Sequence, residues 1–216
     1  MALTVPKALI NGHVYHKPTG VPYAHGCNRE SIRDAARTER WDGIDLDINP
    51  NKELTPFVHH QLYPTKKDAW YDPKHHINDS HSCRKLSDEQ MSRLRVRYQG
   101  VSRPILTARQ AAVFCRDVNH GPLIPCFEAK GRHPCYLDPH WWYREFVKGI
   151  PGSCHVVIMT LPGTRDFGLQ KLEAAHEAGL PTMWLWRGET AATKSKAFRD
   201  AVDLVKSRPG RGIYRI

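Results

Sequence analysis

Stretches of strand-like and helix-like periodicity alternate along the chain. Val21 to Ala24 reads as a short strand and Asn28 to Arg40 as a helix. Gly43 to Ile48 and Pro56 to His60 are extended pieces, joined by the turn-forming run Asn49, Pro50, Asn51 and Lys52. Residues 61–86 are polar and rich in Pro, His and Asp, which predicts an irregular insertion. Ser87 to Val96 reads as a helix opened by a capping box of Ser87 and Gln90. Thr107 and Gln110 repeat that device ahead of a helix with Ala111, Phe114, Cys115 and Val118 on one face. Leu123 to Lys130 is a strand, Asp138 and Pro139 open a helix that Gly149 closes, and Cys154 to Leu161 is an apolar, buried strand. A helix from Phe167 to Ala178, a strand from Pro181 to Trp186, a helix over Thr193 to Val205 and a strand from Gly212 to Ile216 complete the pattern. Such alternation predicts an α/β fold, a parallel sheet with crossover helices, in one domain over residues 1–216.

Composition narrows this picture. With 216 residues and 25% charged positions, the chain can bury a substantial core and is not of disordered type. No apolar run reaches the roughly 20 residues that span a bilayer, and Met1 to Ile10 lacks the apolar core of a secretory signal. The expectation is a soluble, cytoplasmic protein. The six cysteines include no C-x-x-C pair, which argues against zinc or iron–sulfur sites; Cys115, Cys126 and Cys154 lie in apolar segments and read as buried thiols. The net charge of +10 favours phosphate-bearing partners, although dispersed charge is equally consistent with an ordinary solvated surface.

Chemistry-bearing residues gather where predicted strands end, the position at which β/α folds build active sites. Asp45 and Asp47, two apart on a strand, leave on the same face; held side by side they repel unless a cation lies between them. Glu128 on another strand supplies a third carboxylate, and an all-oxygen set suits Mg²⁺ or Ca²⁺. Taken alone, the D-x-D pair is a weak signal, more in keeping with two ordinary positions on a half-exposed strand. His25 and His60 each end a short apolar strand and titrate near neutrality, as proton transfer requires; His59 and His60 point opposite ways, so one of them at most faces the site. Lys130 shares the face of Glu128 and can hold a phosphate oxygen. Trp184 and Trp186 share a face too, roofing a pocket or packing under a helix.

The stretch GIDLDINPNKELTPFVHH, from Gly43 to His60, resembles the signature of the glycerophosphodiester phosphodiesterases: acid-x-Asp, a turn with Lys, then Pro, a short apolar strand and His. Asp45, Asp47, Lys52, Pro56 and His60 fall on its positions without a gap. Ala24, His25 and Gly26 resemble the family's first-strand motif, Glu30 falls near its first-helix acid, and Phe127 to Lys130 resembles its E-x-K strand. The resemblance is good over residues 21–130 and loose over 154–216. It implies a (β/α) TIM-type barrel, shortened or incomplete, with a divalent cation on Asp45, Asp47 and Glu128. It further implies His25 and His60 as the acid/base pair, Lys130 on the phosphate, and a small phosphodiester as substrate. Gly26 stands where the family has Arg, and Arg29 is the nearest replacement for that substrate contact.

Two other readings share these residues. An Asp followed by E-x-K also suits a metal-dependent nuclease, with nucleic acid drawn by the positive charge. A relative that binds phosphate without cleaving it is the second.

Overall fold

The computed structural model describes residues 9–11, 28–37, 43–63, 70–78, 80–98, 100–118, 123–160, 165–186 and 211–215. The first elements are strand β1 (Leu9–Asn11), helix α1 (Arg29–Arg37), strand β2 (Gly43–Pro50) and strand β3 (Pro56–Val58). Strand β4 (Trp70–Tyr71), helix α2 (Asp88–Arg93), strands β5 (Arg95–Tyr98) and β6 (Val101–Pro104) and helix α3 (Ala108–Arg116) follow. Strand β7 (Ile124–Ala129), helix α4 (Pro139–Trp142), strand β8 (Val157–Thr160), helix α5 (Arg165–Glu177) and strands β9 (Thr182–Trp186) and β10 (Arg211–Arg215) complete the order.

The main sheet has seven strands in the order β1-β2-β7-β8-β9-β10, with β3 attached to β2. All neighbours along that path are parallel; β3 alone runs antiparallel. Among the described residues β1 and β10 are its two edges and the sheet does not close, which fits a shortened or incomplete TIM-type barrel. The expected strand at 21–24, His25 and the expected helix at 193–205 lie outside the described residues. Beside residues 43–45 of β2 the parallel neighbour is β1.

Strand β2 is buried along its whole length and carries two kinds of face. Ile44, Leu46 and Ile48 enter the main core with Ile32, Ala111, Ala112, Cys115, Trp141 and Leu172. Asp45 and Asp47 therefore project from the other face, because side chains alternate along a strand. On that second face the rows continue across the sheet: Asp45 lies opposite Cys126, Asp47 opposite Glu128, and Glu128 opposite Met159. Cys126, Val157, Met159 and Met183 form a small apolar cluster of their own.

Several elements end differently from the sequence expectation. The β2–β3 connection is later than the Asn-Pro-Asn-Lys run suggested, because Pro50 pairs with Pro56 and the Asn51 side chain accepts from the backbone of Thr55. The helix expected from Ser87 to Val96 keeps its capping box but stops at Arg93. The β-branched and alternating run after it, Arg95 to Tyr98, is taken by β5 in a second, three-stranded sheet β4-β5-β6. The stretch 61–86 supplies Trp70, Ile77, Cys83 and Leu86 to a second core that also holds Phe57, Met91, Leu94, Val96 and Ile105. Helix α4 continues as π-helical turns over 143–148 and stops at Gly149, where an added Cβ would lie 2.5 Å from the Glu145 carbonyl oxygen. Cys115, Cys126 and Cys154 are buried, and no described helix is long and apolar enough to cross a membrane.

Candidate active site

Two strands bring the acids together, and register decides how. Parallel pairing sets Asp47 directly opposite Glu128, with Asp45 one pleat below on the same face. One ligand oxygen from each of Asp45, Asp47 and Glu128 lies within 4.8 Å of the others, and all three residues are buried. The Lys130 ammonium bridges two of them, 2.9 Å from Asp47 Oδ1 and 2.8 Å from Glu128 Oε2. Its backbone N–H extends the ladder by donating to the Ile48 carbonyl at 3.0 Å.

The electrostatics follow from this crowding. Burial, then the neighbouring Asp47, push the Glu128 carboxyl above its ordinary value, against the opposing pull of Lys130 and Lys171. Burial works against the charge on Lys130, but Asp47 and Glu128 outweigh it and hold the ammonium above its usual range. One ammonium among three carboxylates leaves a formal excess of negative charge that a divalent cation would balance. The donor set is all oxygen and largely buried, which suits a hard divalent cation.

The extended piece expected from Pro56 to His60 pairs only as far as Val58, and the two histidines follow it in irregular backbone. His60 faces the acids, its Nε2 3.8 Å from Asp47 Oδ2. The Gln61 side-chain amide donates to His60 Nδ1 at 2.9 Å, so the neutral ring carries its proton on Nε2, the nitrogen turned toward Asp47. His59 turns the other way, tilted over Trp70 with ring centroids 5.4 Å apart and its Nδ1 2.7 Å from the Gln61 carbonyl oxygen. Burial lowers its pKa to about 4, so it is a neutral structural residue at physiological pH.

The remaining expected site residues are distributed otherwise. Arg29, expected at the substrate, lies over the ring of Phe114 on α3, 5.5 Å from its centroid. Glu30 pairs with Arg33 and Arg103 at 3.1 and 2.9 Å. Both residues line a cleft of about 480 Å³ whose walls include none of the three acids. Trp184 and Trp186 lie on β9, in register with Ile213 and Arg215 of β10. His25 lies outside the described residues.

Two buried groups near the acids went unread in the sequence. Lys171, 2% exposed on α5, donates to the Ala129 carbonyl at 2.5 Å. Tyr136, fully buried, donates its hydroxyl to the Ile48 carbonyl at 3.1 Å. The signal for Lys171 was its place on an apolar stripe, four residues after Phe167 and four before Ala175.

Neither a protein-family model nor a curated protein sequence matches the chain. Solved structures do. A structure described as a glycerophosphodiester phosphodiesterase from Galdieria sulphuraria superposes with a TM-score of 0.64 at 14% identity, covering 99% of this chain and 76% of that one. The fold is that of the glycerophosphodiester phosphodiesterases. A phosphodiesterase from Oleispira antarctica, solved with its product sn-glycerol-3-phosphate, gives a TM-score of 0.58 at 11% identity, covering 82% of this chain and 64% of that one. A glycerophosphoryl diester phosphodiesterase assignment from Silicibacter pomeroyi gives 0.57 at 13% identity, covering 81% of this chain and 66% of that one. The chain thus spans just under two thirds of the length of these last two structures.

Proposed function

We propose that the protein is a divalent-cation-dependent phosphodiesterase that hydrolyses a small glycerophosphodiester to an alcohol and glycerol 3-phosphate. The observation that supports this reading best is the convergence of Asp45, Asp47 and Glu128 within 4.8 Å, beside Lys130 and His60, on a glycerophosphodiester phosphodiesterase fold. Asp45, Asp47 and Glu128 would hold the cation, which when bound supplies positive charge to the phosphate. Lys130 spends two of its three donors on Asp47 and Glu128, and the third can reach a non-bridging phosphate oxygen. His60 would exchange a proton at Nε2, as the imidazolium when it donates and as the Nδ1–H tautomer, with the Gln61 amide turned over to accept from it, when it takes one up. His25 is the proposed partner of opposite role, taking a proton from the attacking hydroxyl while His60 protonates the leaving alcohol, or the reverse.

The assay is direct. Glycerophosphocholine is incubated with the purified protein in Ca²⁺, in Mg²⁺ and after exhaustive chelation, with plasmid DNA as a parallel substrate. Cation-dependent release of choline supports the reading. Cleavage of the plasmid alone transfers the same acids to a nuclease, and undiminished choline release after chelation removes the cation from the chemistry.

A further inference from the structure

Each of the two acid-bearing strands has a buried polar side chain fixed to the carbonyl that directly follows its acid. On β2 the carbonyl after Asp47 is that of Ile48, and it accepts from the Tyr136 hydroxyl at 3.1 Å. On β7 the carbonyl after Glu128 is that of Ala129, and it accepts from the Lys171 ammonium at 2.5 Å. The two side chains also meet each other: the ammonium lies 5.6 Å from the centroid of the Tyr136 ring and 5.7 Å from that of Phe167. Tyr136 belongs to the 3₁₀ turn Pro134–Leu137, and its ring packs in turn on Trp141 and Trp142.

An ammonium buried to 2% exposure is costly, and burial lowers the Lys171 pKa to about 8. A leucine or methionine on the same stripe of α5 would fill the space without that cost. A retained cation needs something that an apolar residue cannot give, and here that is a charged donor to Ala129 together with attraction for Glu128, on which its charge acts.

We propose that Lys171 and Tyr136 form a positioning brace behind the acid cluster, setting the spacing of Asp47 and Glu128 and with it the size of the cation the site accepts. The inference rests on the reading of these acids as a cation site. Neither residue touches substrate in this scheme. Both act through the backbone of the residue next to a ligand, the kind of outer contact whose loss weakens metal sites. Mg²⁺ demands short, near-octahedral geometry, whereas Ca²⁺ tolerates longer and less regular contacts. A loosened brace therefore penalises Mg²⁺ more than Ca²⁺.

The test is calorimetric titration of the intact, substrate-free protein with each ion, for the wild type, K171M, Y136F and the double variant. Y136F removes one oxygen atom and keeps the ring, so it guards against a K171M protein that does not fold. The expected result is about a tenfold or greater loss of Mg²⁺ affinity in either single variant, with a smaller loss for Ca²⁺. The two single losses should roughly add in the double variant, because each side chain holds a different carbonyl and Y136F keeps the ring under the ammonium. Affinities within experimental error of the wild type overturn the brace. So does an equal loss for both ions that tracks a lower melting temperature, since that is the behaviour of general destabilisation. A wild-type protein that binds neither ion overturns the functional reading itself, and that outcome is visible before any variant is made.

Discussion

Asp47 and Glu128 occupy opposed positions in the parallel ladder between β2 and β7, and one ammonium, that of Lys130, lies within 2.9 Å of both carboxylates. The chemistry of the site depends on that opposition, because a one-residue slip in either strand would turn its acid into the apolar core. D47N and E128Q keep the shapes and remove one charge each. Either should lower cation-dependent hydrolysis by at least about a hundredfold, the scale for losing one transition-state electrostatic contact. Initial rates on glycerophosphocholine across a Ca²⁺ series measure it, and wild-type rates in both variants would remove these residues from the site.

K130M leaves two buried carboxylates facing each other without their shared cation. Removing one partner of a buried ion pair costs about 3–5 kcal/mol. The variant should therefore melt well below the wild type in chelator. Ca²⁺ should restore more of its melting temperature than it adds to the wild type, because the metal then supplies the missing charge as well as binding energy. Differential scanning calorimetry with and without Ca²⁺ reads both effects, and an equal Ca²⁺-induced rise in the two proteins counts against the shared site.

Loss of the His60 ring should cost about 10²–10⁴ in kcat, the range for a general acid or base. Calcium affinity should stay near the wild-type value, since His60 Nε2 approaches Asp47 Oδ2 no closer than 3.8 Å. H25A tests the proposed partner in the same assay. H13A is the informative control: β1, the parallel neighbour of β2, ends at Asn11, and His13 follows it by two residues. Loss of kcat in H13A with H25A intact would move the second proton-transfer role from His25 to His13.

His59 gives a pH signature of stability. Its folded pKa of about 4 lies below the ordinary 6.5, so the unfolded chain takes up the proton first as pH falls. The stability held by neutral His59 is complete above pH 6.5 and is lost progressively down to about pH 4. The full shift corresponds to roughly 3 kcal/mol. Urea denaturation of the wild type and H59Q across this range should show a steeper acid-side decline in the wild type; parallel curves would refute the assignment.

The acids were legible in the sequence because strand alternation and local spacing fix which side chains share a face. Asp45 with Asp47, and Glu128 with Lys130, needed only a period of two. His59 and His60 lie beyond the end of β3, where that rule no longer applies, and contacts with Trp70 and Gln61 place their rings instead. What could not be read was anything set by long-range pairing. The register that puts Asp47 beside Glu128 spans 81 positions of chain. Arg95 and Val96, the first half of β5, read as the end of a helix because pairing with β4 and β6, not local pattern, decides their conformation. Arg29 was named as the nearest stand-in for the arginine absent at Gly26, and the contact it makes with Phe114 depends on how α1 meets α3, which its sequence position does not reveal. Lys171 lies on an apolar stripe, but its partner is a backbone carbonyl 42 positions away, which no local pattern reveals.

Strand β3 belongs to both cores at once. Phe57 is seated in the smaller one with Trp70 and Met91, while the next residue, Val58, is seated in the larger one with Ile48 and Leu106. His60 hangs from the end of this shared strand, whereas the three carboxylates stand on β2 and β7 alone. Partial melting confined to the minor core would draw the imidazole away and spare the ion cage. The molecule left behind would still capture calcium or magnesium, but without this proton carrier beside them.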